Sequence, residues 1–166
     1  GLMHILEHVG KIGLNLASLG ILYRGGIADG LVYHDEQQVF GPAVIEAYEL
    51  EKQAMFPRVV LSSSVVNAGQ SAAAPVNKVF ERFTRTDWDG AVYVHYLRVL
   101  RMIADADGPL PDDVRALHTK IKASIDQHLD RFAPGTSNRI KWKWFESYFR
   151  WAIDESWRDL VRTPFP

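Results

Sequence analysis

Arg24-Gly25-Gly26-Ile27-Ala28-Asp29-Gly30 is followed ten residues later by Phe40-Gly41-Pro42-Ala43-Val44-Ile45-Glu46-Ala47-Tyr48-Glu49-Leu50-Glu51. The first stretch reads as extended chain with three glycines. Glycine inside a strand points to a bulge or to close approach of another backbone or ligand. The second stretch reads as a helix, because Pro42 suits the first helical position. Its predicted span is Ala43 to Ala54, with Val44, Ala47 and Leu50 on one face.

Upstream, Leu2, Ile5, Leu6, Val9, Ile12, Leu16 and Leu19 recur at spacings of three and four, an amphipathic helix stopped by Gly20. Ile21-Leu22-Tyr23 is expected to open the strand that continues through Arg24 to His34, and His34-Asp35-Glu36-Gln37-Gln38 to form a turn. Downstream, Arg58-Val59-Val60-Leu61-Ser62 is a β-branched strand. Residues 63–75 are of low complexity and are expected as a weak helix or a loop. The stretch Val76 to Thr86 is ambiguous. Asp87-Trp88-Asp89-Gly90 is a turn, and Ala91 to Leu97 a strand. A helix beginning at Pro111 carries Val114, Leu117, Ile121, Ile125 and Leu129 as its stripe. Pro134-Gly135 breaks it, and Asn138 to about Leu160 makes a last, aromatic-rich helix. The order predicts an α+β fold in one domain with a helical C-terminal extension.

The chain has 166 residues, 47% of them hydrophobic and 23% charged, enough for a packed core and against disorder or a coiled coil. Nineteen basic residues against twenty acidic ones give a net charge of −1, which argues against nucleic acid as a partner. Zero cysteines exclude disulfides and thiolate metal sites. The apolar runs are too short for a membrane span, so a cytoplasmic location without a membrane partner is expected. The chain opens within a helix that has no N-cap, and it reads as the C-terminal portion of a longer domain.

Three patterns are candidates for chemistry. His4-Ile5-Leu6-Glu7-His8 has the H-x-x-E-H spacing that sets two histidines on one helix face, as a zinc site needs. The competing reading is a solvated helix face. His34-Asp35-Glu36 offers three ligating side chains, but neighbours in a turn rarely converge on one ion. Asn138 to Phe145 interleaves basic and aromatic residues, which suits base stacking and phosphate contact. Its aromatic spacing, with Ile140, Trp144, Tyr148, Phe149 and Trp151, equally suits a packed helix with a basic wet face.

The Arg24–Gly30 and Phe40–Glu51 stretches together resemble the class III nucleotidyl cyclase domain. That family carries an R-x-G-I-x-x-G strand and then a [YFW]-G-x-x-V-N-x-A-x-R-x-E helix. Pro57 to Ser62 is similar to its next strand, and Tyr93 to Leu97 to its last. The variant Arg-Gly-Gly-Ile, Tyr-His, Phe-Gly-Pro-Ala looks like the bacterial subgroup that includes the uridylate and cytidylate cyclases of the Pycsar antiphage system. The resemblance covers roughly residues 1–100, a cyclase-like domain, leaving 101–166 as a helical extension packed on it. It implies an antiparallel sheet layered with helices and a head-to-tail homodimer.

The implied activity is attack of the ribose 3′-hydroxyl on the α-phosphorus of a nucleoside triphosphate, UTP or CTP, with loss of pyrophosphate. The cyclic product would activate a separate effector that senses it. Two divalent metal ions, Mg or Mn, are implied, held by aspartates expected upstream of this chain. By the same resemblance, the family's transition-state asparagine falls on Ile45, its arginine on Glu49 and its triphosphate-binding lysine near Asp87. These substitutions remove positive charge from where phosphate charge develops. Arg24, Lys52 and Arg58 are the nearest cations, and Arg24 is the candidate catalytic one. Gln38 falls at the base-reading position, and an amide both donates to and accepts from a base edge. Phe40 and Gly41 complete the candidate nucleotide-binding set with Asp87. A catalytically inactive cyclase-fold module that binds nucleotide or dimerises is the alternative. A helical metalloprotein using His4, Glu7 and His8 is the third reading.

Overall fold

The computed structural model describes residues 1–98, 100 and 112–153. The described chain is a mixed α+β structure. Pro111 and the 154–160 end of the last predicted helix lie outside the described residues. Two compact units are present. One joins Gly1–Glu7 to Tyr23–His95, and the other joins His8–Leu22 to the chain from Tyr96 onward. No helix among the described residues is long and apolar enough to cross a membrane.

Helix α1 spans Leu2–Ser18. Its end lies in the second unit, where Gly20, with φ of +74°, donates its N–H to Ala17 and Ile21 donates to Leu16. These two bonds satisfy carbonyls that the last turn leaves open, the usual glycine-terminated helix end. Ile21, Leu22 and Tyr23 are therefore occupied in closing the helix and leaving it. The strand expected to start there begins instead at Gly25.

The first unit is built on a four-stranded sheet in the order β1 (Gly25–Ile27), β4 (Val59–Leu61), β6 (Val92–Val94), β5 (Thr84–Thr86). β1 runs parallel to β4, with Gly26 opposite Val60, and the other pairings are antiparallel. The sheet is thus mixed, where the sequence reading expects an antiparallel one. Parallel neighbours need a long crossover. Here it contains a ribbon of β2 (Tyr33–His34) and β3 (Val39–Phe40) and then helix α2 (Pro42–Gln53).

α2 starts where expected. Gly41 precedes it with φ of +144°, and a Cβ there would lie 2.4 Å from the Leu31 carbonyl oxygen. Only glycine fits that corner. α2 packs onto β1 at Gly26, where an added Cβ would stand 2.2 Å from the Ala47 oxygen. β4 is fully buried, and Val59, Val60, Leu61, Tyr93 and Val94 form the centre of this unit's core.

The low-complexity stretch is a regular helix, α3 (Ser63–Ser71). The Ser62 hydroxyl accepts from the Val65 N–H and caps it. α4 (Val76–Phe83) follows, its Phe80 ring seated against Gly69. The last expected strand shortens to Val92–Val94.

The second unit pairs α5 (Asp112–Arg131) with α6 (Ser137–Ile153). Ile121, Ile125 and Leu129 of the predicted stripe are buried, while Val114 and Leu117 are only half-covered. On α6 the buried side is Trp142, Trp144, Phe145, Tyr148, Phe149 and Ala152. Ile140, expected among them, is exposed. The Leu97 N–H donates to the buried Tyr148 hydroxyl at 3.0 Å.

Candidate functional site

The candidate residues divide between two environments, both within the first unit. The exposed one is the ribbon and α2. The Asp35 carboxylate organises the ribbon turn, accepting from the Gln37 and Gln38 N–H groups at 2.8 Å and from the Tyr33 hydroxyl at 2.9 Å. The Gln37 bond, then Tyr33, then Gln38 hold this carboxyl below its ordinary value. Tyr33 and Phe40 face each other across the ribbon as a stacked pair 4.8 Å apart. Gln38 and Phe40 are exposed, and the chain runs from them directly into Gly41 and α2. Ile45 and Glu49, four residues apart, share the exposed side of α2.

The buried environment surrounds Arg58. Its guanidinium pairs with Asp87 through Nη1 and with Asp89 through both terminal nitrogens. Burial works against its charge, and the two carboxylates more than offset this, so the guanidinium is held above its ordinary value. The Phe56 ring covers it at 5.5 Å. Asp87 also accepts from the Trp88 N–H, and Asp89 from the Ala91 N–H. The cluster locks the β5–β6 turn to the start of β4. Asp87 thus lies in the core of an ion cluster, away from Gln38 and Phe40 in kind of environment as well as in sequence.

Arg24 is held by Glu51 at 2.5 Å, and its Nη1 donates to the Ala54 carbonyl. It ties the approach to β1 to the end of α2. Lys52 sits over the Tyr48 ring at 5.2 Å. Each of the three cations near the motif is therefore engaged by a neighbour on the chain itself. The sequence reading did not pair Arg58 with Asp87 and Asp89. Twenty-nine residues separate the first two, and only the β4–β6 pairing brings them together.

The other patterns resolve into packing. His4 and His8 are exposed and Glu7 is half-buried. Among the described residues no group of three or more His, Asp or Glu side chains is placed to hold a metal ion. His34, Asp35 and Glu36 form the ribbon turn, with Asp35 bonded to backbone. In α6, Trp142, Trp144 and Phe145 are buried. Arg139 donates to the Leu129 and Phe132 carbonyls at the end of α5, and Lys143 pairs with Glu146. Arg139 and Lys143 thus cap and brace helices, and the aromatics of this stretch fill a core.

Compared with family models, with curated proteins and with solved structures, the chain finds no match in any of the three.

Proposed function

We propose that this chain is part of a class III cyclase-like nucleotide domain. Its activity is conversion of a nucleoside triphosphate, UTP or CTP, into a 3′,5′-cyclic nucleotide and pyrophosphate. The cyclic product would serve as a cytoplasmic antiphage messenger read by a separate effector. In this reaction the ribose O3′ forms a bond to the α-phosphorus and loses its proton. The bond from that phosphorus to the pyrophosphate oxygen breaks.

One observation carries the reading. Of the positions that the motif assigns to the site, Asp87 is buried against Arg58, whereas Gln38, Phe40, Ile45 and Glu49 are exposed on one continuous stretch of ribbon and helix that runs through Gly41. Those four are not spent in the core, which suits a site completed by a second protomer of a head-to-tail homodimer. The Gln38 amide is suited to a pyrimidine edge. Ile45 and Glu49 offer no positive charge to phosphate. The described residues do not fit the role of holding the two divalent ions that the reading implies.

A second reading, a nucleotide-binding or dimerising module without turnover, has its own support. Arg24 is engaged by Glu51, Arg58 by Asp87 and Asp89, and Lys52 by Tyr48. Both readings place nucleotide at the ribbon and α2. Titrating the isotope-labelled protein with each of the four nucleoside triphosphates is expected to move the amide resonances of Gln38, Phe40, Ile45 and Glu49, most with UTP or CTP. Unmoved ribbon and α2 resonances with all four would overturn the cyclase and the nucleotide-binding module, and leave only a dimerising module.

A further inference from the structure

The chain carries Asp-Gly three times, at Asp29-Gly30, Asp89-Gly90 and Asp107-Gly108. In this dipeptide the glycine N–H lies beside the aspartate side chain, and no Cβ shields it, so the nitrogen is within reach of the carboxyl carbon. Asp107-Gly108 lies outside the described residues. The other two pairs stand in different surroundings.

At Asp89-Gly90 both reacting groups are engaged. The Asp89 carboxylate accepts from Arg58 and from the Ala91 N–H, and the Gly90 N–H donates to the Asp87 carbonyl at 3.0 Å. The Asp89 side chain is 31% exposed, so engagement rather than cover withholds it. At Asp29-Gly30 neither group is engaged. Both residues are exposed and follow β1 outside any strand or helix. Among the described residues neither the Asp29 carboxylate nor the Gly30 N–H has a hydrogen-bond or ion-pair partner. No bond must break before the carboxyl turns onto the nitrogen.

We infer that Asp29-Gly30 is a modification site, at which the folded protein converts aspartate to isoaspartate without an enzyme. The Gly30 nitrogen forms a bond to the Asp29 Cγ and loses its proton, and a carboxyl oxygen leaves as water. The ring so formed is a succinimide. Water then breaks one of the two C–N bonds of the ring. Breaking the bond to Cγ restores aspartate. Breaking the bond to the Asp29 carbonyl carbon leaves isoaspartate, with the chain running through Cβ and Cγ. Mass is unchanged and nothing is oxidised. The product has a longer backbone between β1 and the Leu31 carbonyl, which receives the Ala43 N–H in the first turn of α2. Ageing at this bond therefore acts where β1 hands over to the ribbon and α2. Nucleotide plays no part in the step.

Peptide mapping of the full chain tests it. Trypsin places the three pairs on separate peptides, 25–52, 86–98 and 102–115. Folded protein and protein in urea are held in neutral buffer. Isoaspartate is read as a peptide of unchanged mass that shifts in retention and resists a protease cutting before aspartate. In folded protein, position 29 is expected to convert at a rate near that in urea, and position 89 far more slowly than in urea. Asp29→Glu closes only a larger, slower ring and should abolish conversion in the 25–52 peptide. Asp29 is exposed, so the far-UV circular dichroism of that variant should stay that of the parent. Folded protein that keeps aspartate at position 29 would overturn the inference, whatever happens in urea. So would equal conversion at 29 and 89 in folded protein, or conversion in the 25–52 peptide that persists in Asp29→Glu.

Discussion

Arg58 and Asp87 form an ion pair whose side chains are only 3% and 5% exposed, at the junction of β4 with the β5–β6 turn. Removing one partner of a buried pair leaves an uncompensated charge, which costs about 3–5 kcal/mol. Arg58→Met, which strands the buried Asp87 carboxylate, is therefore expected to lower unfolding stability by an amount in that range, and Asp87→Ala by less, because Asp89 still holds both terminal nitrogens of Arg58. Replacing Arg58 and Asp87 together with apolar residues should cost much less. Urea unfolding of the single and double variants checks this. Equal losses in both would show that the pair is not what holds the turn.

The same cluster makes the first unit acid-sensitive. Burial pushes the Asp89 carboxyl up, but the Arg58 hydrogen bond, the Ala91 N–H and the Arg58 charge together hold it below its ordinary value. A lowered carboxyl pKa contributes stability that is present above the unfolded-state value, 3.8. That stability is lost as pH falls through the folded value below it. Unfolding free energy measured from pH 5 downward should fall less steeply in Asp89→Asn than in the parent. Parallel curves would contradict the assignment.

Gly26 is the contact on which α2 meets β1. A methyl group there would sit 2.2 Å from the Ala47 oxygen and 2.8 Å from the Leu50 Cβ, so helix or strand must move. Overpacking of this kind costs about 1–3 kcal/mol. Gly26→Ala should lose that much in urea unfolding. Gly90→Ala serves as a comparison, since its strain comes only from φ of +83° and no atom lies near. A Gly26→Ala protein as stable as the parent would contradict the packing of α2 on β1.

How much of this was legible follows from which forces were local. Gly20, Gly41-Pro42 and Asp87-Trp88-Asp89-Gly90 are breakers whose chemistry acts within a few residues, so helix ends and the turn fall where the sequence places them. Val59-Val60-Leu61 is apolar throughout and becomes the buried central strand. The composition of residues 63–75 leaves helix and loop both open; the Ser62 cap and the burial of Val65 and Gly69 decide for a helix over Ser63–Ser71. Parallel pairing of β1 with β4, the Arg58 cluster and the Arg139 cap join residues that no spacing connects. At the candidate site, the exposure of Ile45 and Glu49 follows from helical period. The engagement of Arg24 by Glu51 does not.

Arg139 bonds to the last carbonyls of α5, the groups that a helix end leaves without partners. A charged donor on such carbonyls contributes about 1.5–3 kcal/mol. Arg139→Ala should destabilise the second unit by about that amount, followed by the fluorescence of Trp142 and Trp144, with Arg139→Lys recovering part. No change in Arg139→Ala would leave α5 without need of this cap.

His118 packs on Phe149, ring centres 5.1 Å apart, in a groove of about 260 Å³ shared with Lys122, Asp126, Glu146 and Arg150. Burial, then the Lys122 charge, lowers its pKa below the usual imidazole value, 6.5. The unfolded chain thus takes up the proton first. The His118 contribution is complete above that value and is lost as pH falls below it. His118→Gln should flatten the stability profile between about pH 7 and 5. An unchanged profile would assign that slope to another group.

The central claim is nucleotide cyclisation, and the most direct measurement is turnover. The full-length protein would be incubated with each of the four nucleoside triphosphates and Mn²⁺, and the products separated by chromatography. The account predicts a 3′,5′-cyclic pyrimidine nucleotide with pyrophosphate, formed despite Ile45 and Glu49. A cyclic purine product would contradict the pyrimidine assignment. No cyclic product from folded protein would contradict the enzyme and leave the non-catalytic module in its place.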